Sequence, residues 1–158
     1  MVKVTPAAGT PTLLEVVVAV QLPVPVRFED VFPAGAYVLG VEPINDFEAV
    51  KAGVGDPQQR DKTTGERLWA VRVLDADPAS RKGQAEVAVK IAAPVQPVPP
   101  ESVGGTPFRP VEFDGLALMP YVDTSKTRPR LAFSIRASGM RAAGRSGKPV
   151  SASSGSAA

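Results

Sequence analysis

Four cations recur at alternating positions in short Val- and Ala-rich runs: Arg72 in "LWAVRVL", Lys90 in "EVAVKI", and Arg130 and Arg136 in "RLAFSIR". On an extended chain successive side chains point to opposite faces, so these cations turn away from the apolar residues beside them. The turns around the first two runs add Arg60, Lys62, Arg67, Arg81 and Lys82. A polyanion lying across such a face exchanges its counterions for the side chains, which is the chemistry of phosphate-backbone binding. Bases of a single strand also take aromatic platforms. Tyr121 falls on the opposite phase from Leu116 and Leu118, Tyr37 starts a strand, and Phe108 lies in a Pro-rich segment. These three are the candidates for stacking, whereas Trp69 and Phe133 fall on the phase expected to be buried. The candidate nucleic-acid-binding set is Arg67, Arg72, Arg81, Lys82, Lys90, Arg130, Arg136 and Tyr121.

Other chemistries find little support. The chain has no Cys and no His, which excludes a thiol nucleophile, a Ser-His-Asp triad and the usual soft-ligand zinc site. Asp75 and Asp77 are paired carboxylates, but beside Pro78 they read as residues that shape a turn. Asn45, Asp46 and Glu48 in "NDFE" lack the dense oxygen spacing of a calcium loop and read as a strand-end turn. The glycine pairs lack the strand–turn–helix setting and the Lys-Ser/Thr of a phosphate loop. The expectation is a non-enzymatic protein with no cofactor and no metal.

Net charge is only +2, yet it is unevenly spread. Residues 124–158 carry seven cations and no carboxylate, while residues 1–57 carry three cations against seven carboxylates. A basic C-terminal strand and tail suit a polyanion partner; a solubilising tail is the plainer alternative. The apolar stretch "LLEVVVAVQLPVPV" is interrupted by Glu15 and ended by Pro23 and Pro25, too short to span a bilayer or to read as a signal peptide. A soluble cytoplasmic protein with no membrane partner is expected.

The elements that must position these residues are strands. Trp69, Val71 and Val73 oppose Ala70 and Arg72; Val87, Val89 and Ile91 oppose Glu86, Ala88 and Lys90; Leu131, Phe133 and Ile135 oppose Arg130, Ala132, Ser134 and Arg136. The first two runs are joined by "DADPASRKGQ", a turn-rich linker that predicts a hairpin. A fourth strand, "RPVEFDGLALMPY", slips phase at Asp114-Gly115, the place for a bulge. "AYVLGVEPI" carries Gly40 in its middle and is expected to bend. Leu13–Val20 and Val24–Phe28 are further Val-rich stretches that suit a hairpin or edge strand. Six prolines between Pro94 and Pro110 predict an extended, polyproline-like crossover, read as a rigid linker in preference to a peptide-ligand motif. The expected fold is all-β: a small curved antiparallel barrel, OB-like, spanning residues 37–142, with a two-sheet sandwich as its competitor. Residues 1–36 form an N-terminal extension with potential strands, and residues 143–158 a disordered basic, Ser-rich tail.

The run "DKTTGERLWAVRVLDADPASRKGQAEVAVKIAAPVQPVPP", with "GTPFRPVEFDGLALMPYVD" and "RLAFSIRASGMRA", resembles a family of small proteins of actinobacterial integrative and conjugative plasmids, described as plasmid replication, integration and excision activators. The resemblance covers about residues 58–142, roughly half the chain. The "D-x-x-TG-x-x-LW" opening is also similar to the start of small OB-type single-stranded-DNA-binding proteins of phages and plasmids. The resemblance implies a non-enzymatic accessory protein of a mobile element that acts on DNA. It carries over no functional residue, and it does not reach residues 1–36.

Two readings follow. In the first, the basic strand face and C-terminal arm hold single-stranded DNA with little sequence preference and strong salt dependence. In the second, the chain is an adaptor that assembles other plasmid-encoded proteins, supported by the Pro-rich segment and the shortage of exposed aromatics. Val-rich edge strands also need protection, which a homodimer would supply.

Overall fold

A computed structural model describes residues 22–81 and 83–144. Eight strands form one strongly curled sheet, a half-barrel: β1 (Val24–Pro25), β2 (Ala36–Pro43), β3 (Leu68–Asp75), β4 (Glu86–Ala92), β5 (Pro110–Asp114), β6 (Ala117–Asp123), β7 (Arg130–Ala137) and β8 (Gly139–Ala142). Their order across the sheet is β1-β6-β7-β4-β3-β2-β5-β8. Two short helices complete the described residues, α1 (Phe28–Val31) and α2 (Phe47–Lys51). The all-β curved fold is the one expected; the sheet is mixed, because β7 runs parallel to β4 while the other pairs are antiparallel. The Leu13–Val20 stretch and the C-terminal tail from residue 145 lie outside the described residues, and Val24–Phe28 yields only the two-residue β1 before α1 begins.

The β3–β4 hairpin forms as its alternation requires, with Val71 opposite Val89 and Arg72 opposite Ala88. The β2–β3 register shifts between Val38 and Gly40; this bulge switches the face presented by β2, so Val38 and Val41 both turn inward. A Cβ at Gly40 would lie 3.3 Å from Nη2 of Arg72, so glycine lets that arginine lie across the neighbouring strand. Asp75 and Asp77 shape the hairpin turn: Asp75 Oδ1 accepts the amide of Asp77, and Asp77 Oδ1 that of Ala79. The Pro-rich crossover between β4 and β5 contains neither helix nor strand.

The core sits on the concave face. Val71, Val73, Val89 and Val111 are fully buried, each worth about 1.5–3 kcal/mol relative to exposure. Phe28 and Phe32, one helical turn apart, pack at ring-centroid distances of 6.4 and 6.3 Å against Phe113, which joins α1 to the core. Trp69 is buried, and its Nε1–H donates to Ala93 O at 3.0 Å.

Two sequence expectations need correction. The supposed single bulged strand around Asp114-Gly115 is two strands: β5 pairs with β2 and β8, and β6 pairs with β7 and β1. The phase slip marks a corner, turned by Gly115 at φ 60°. Phe133 and Leu131 do share a face with Ile135, but they are exposed. The β4 ladder reaches only Ile135–Ala137 of β7, and β1 covers only Ala117 and Leu118 of β6. Beyond those contacts β6 and β7 run on as a two-stranded arm whose inward-phase side chains meet no opposing layer.

Candidate nucleic-acid interface

The segment between β2 and β3 folds back over the convex face of the sheet. Isolated pairings, Asn45 with Gln58 and Arg60 with Arg67, tie the segment to itself, and Asp61 reaches across to Arg136 of β7. Asp46 caps α2 by accepting the amides of Glu48 and Ala49 at 2.9 and 3.2 Å, as Asp does at a helix start. Gln58 Nε2 donates to Leu68 O at 2.9 Å, and Arg67 donates to Gln58 Oε1 at 3.1 Å. Asp61 organises the next turn, its Oδ1 accepting the amides of Thr63 and Thr64 at 2.8 and 2.9 Å.

Between this segment and the sheet lies an open groove of about 760 Å³. Lys90, Arg136, Met119 and Leu68 form its floor, and Asp46, Ala49 and residues 56–63 its walls. Lys90 of β4 and Arg136 of β7 are register partners on adjacent parallel strands and therefore face the same side. Arg136 donates from Nη1 to Asp61 Oδ2 at 3.2 Å, while its Nε is buried with no partner. The Thr64 and Thr63 amides, followed by the Arg136 charge, hold the Asp61 carboxyl below its ordinary pKa. Lys90 has no carboxylate partner among the described residues.

The candidate residues divide on this frame. Lys90 and Arg136 meet in the groove. Arg67 lies behind its wall, bound to Asp56 at 3.0 Å. Arg72 stands on the same convex face but is held between Glu86 at 3.0 Å and Glu42 at 3.6 Å. Arg130, on the arm, pairs with Asp123 at 3.0 Å. Arg81 is exposed in the β3–β4 turn, at the far end of the hairpin from Lys90; five residues of strand separate those levels by about 17 Å. Lys82 lies outside the described residues. Tyr121, opposite Ala132 in the β6–β7 register, is half exposed on the same face as Met119 and Arg136. Tyr37 and Phe108 pack against each other with tilted rings, centroids 5.6 Å apart, so they form a separate aromatic pair.

Asp61, Met119 and the Gln58–Gln59 wall belong to the groove and were not singled out by sequence. Asp61 carried a signal, since Asp in Asp-Lys-Thr-Thr-Gly suits a side chain that caps its own turn; its reach to Arg136 is a tertiary fact. Among the described residues no cluster of acidic side chains could hold a metal ion, and no helix is long and apolar enough to cross a membrane. Comparison of the chain with protein-family models, curated proteins and solved structures finds no match.

Proposed function

We propose that the protein binds single-stranded nucleic acid, DNA in the first place, across its convex face, as an accessory protein of a mobile element. The setting rests on the sequence resemblance. The observation that carries the binding is the groove floored by Lys90 and Arg136, with Tyr121 two positions beyond Met119 on the same face. Cations at the bottom of an open groove contact the backbone, and a half-exposed tyrosine at its exit offers a platform for a base. The arm continues this path for about 20 Å, six residues from Arg136 to Arg130, towards Lys126 and Arg128 in the β6–β7 loop. The test is fluorescence anisotropy with a labelled single strand and its duplex across a salt series. Preference for the single strand and a falling log–log salt dependence are expected; no binding to the single strand at low salt overturns the reading.

A protein-interaction role is favoured by a different observation. Val122, Leu131 and Phe133, at 63%, 67% and 54% exposure, share the uncharged face of the arm with Pro120. A second copy fits that face. Pro120 removes an edge N–H and so discourages strand addition, while two copies related by a two-fold axis set uncharged surface against uncharged surface. Light scattering over a concentration series decides it: a dimer abolished by Phe133→Asp is expected, and a monomer at all concentrations refutes it.

A further inference from the structure

We infer that Lys90 and Arg136 form a seat for one phosphate group on the groove floor, and that Asp61 is a built-in competitor for it. The inference rests on the strand-binding reading and deepens it. Cations directly opposite one another on neighbouring strands repel, and Lys90 and Arg136 are such a pair. Arg136 meets one carboxylate oxygen through Nη1, and its buried Nε finds no acceptor. Lys90 meets no carboxylate among the described residues. A tetrahedral anion answers both deficits, because two of its oxygens can take the guanidinium fork while a third takes the ammonium. The groove, at about 760 Å³, leaves room for the rest of a nucleotide.

Asp61 is placed to compete. Its Oδ1 is committed to the amides of Thr63 and Thr64, and only Oδ2 reaches Arg136, at 3.2 Å. The turn thus fixes a negative charge at the edge of the seat, where it offsets part of the potential an incoming phosphate feels. Asp61→Asn separates the two jobs. An amide oxygen still accepts the Thr63 and Thr64 amides, but the charge facing Arg136 is gone.

The experiment uses the full chain with two probes: an oligothymidylate about a dozen nucleotides long and inorganic phosphate, the latter followed by the NMR shift of the Arg136 Nε–H. Asp61→Asn is expected to bind the oligonucleotide about three- to tenfold more tightly. Lys90→Gln is expected to bind it about three- to tenfold more weakly, with the log–log salt slope reduced by about 0.7, the value of one single-strand phosphate. Phosphate is expected to move the Arg136 Nε–H resonance in the wild type and less in Lys90→Gln. If the wild type binds the oligonucleotide and neither variant changes affinity, the seat is refuted and strand binding stands. If the oligonucleotide fails to bind but phosphate moves Arg136, the strand reading falls and the seat serves a free phosphate group. If neither probe registers, both fall. Lys90→Gln keeps the test alive should Asp61→Asn unfold, since Lys90 has no ion pair to lose among the described residues.

Discussion

Replacing Gly115 with alanine tests the corner that separates β5 from β6. Gly115 has φ 60°, the left-handed region, which costs an L-residue about 1–2 kcal/mol. An added Cβ would also lie 2.6 Å from Ser138 Oγ, closer than atoms tolerate, and a tight 3.1 Å from Ser138 Cβ. Ser138 has little freedom to yield: its Oγ donates to Asp114 O at 3.0 Å and its amide to the same oxygen at 2.8 Å. Losing one of those bonds costs about 0.5–1.5 kcal/mol, so Gly115→Ala is expected to destabilise by about 2–3 kcal/mol. Urea unfolding followed by tryptophan fluorescence reads this through Trp69; with an m-value of about 2 kcal/mol/M the midpoint falls by about 1 M or more. Gly139→Ala is the control, because its Cβ would meet nothing within 4 Å and its φ is not left-handed; it should be neutral, or stabilising by about 0.4–1 kcal/mol through the unfolded chain. Adding Ser138→Ala to Gly115→Ala should return the part of the steric share owed to the Oγ contact and leave the backbone share. Gly115→Ala with a wild-type midpoint refutes the reasoning.

Val71→Ala, at a fully buried position between β2 and β4, should cost about 2–3 kcal/mol in the same assay, from lost burial and the cavity left behind. Phe133→Ser, on the arm, should change stability by less than about 0.5 kcal/mol; a core-sized loss would show that Phe133 is packed in solution. Asp123 is held at a pKa of about 2 by the Ser125 hydroxyl and amide and by Arg130. A carboxyl with a folded pKa below its unfolded value stabilises above the unfolded value, 3.8, and loses that contribution as pH falls to about 2. The expected result is a stability decline over that window that Asp123→Asn removes in part, with the Asp123 carboxyl carbon titrating near 2 by NMR; a midpoint at the ordinary value contradicts the contacts.

Local pattern carried the sequence reading a long way. Period-two alternation placed β3 and β4 with the right residues inward, Gly40 marked the bend of β2, and the prolines kept helix and strand out of the crossover. Each of these is decided within about ten residues of chain. The remainder depends on partners distant in sequence. At Asp114-Gly115 a one-residue phase slip fits a bulge and a corner equally well, and only the divergent pairing of β5 and β6 separates them. Alternation in "RLAFSIR" shows which side chains share a face, not whether another layer reaches it, so Phe133 read as core although β4 stops pairing at Ile135. The groove was illegible for the same reason. Lys90 and Arg136 lie far apart in sequence and become neighbours only through the parallel β4–β7 pairing, and the wall across them comes from a segment that reads as turns.

Counting cations along the chain overstates the charge this face offers to a polyanion. Arg67, Arg72, Arg130 and Arg136 each hold a carboxylate within 3.0–3.2 Å, so a strand arriving at any of them must displace that carboxylate or share the guanidinium with it. The gain from the new contact is offset by the pair that is lost, and an exposed pair is worth only about 0–1 kcal/mol either way. Lys90 holds no carboxylate among the described residues, so a phosphate reaching it breaks no ion pair there. Alanine at Arg72 or Arg130 should therefore leave oligonucleotide affinity within about twofold and the salt slope unchanged, whereas Lys90→Ala should lower both. Equal losses at all three positions would mean that the ion pairs open freely in solution and that the whole convex face, not the groove, meets the strand.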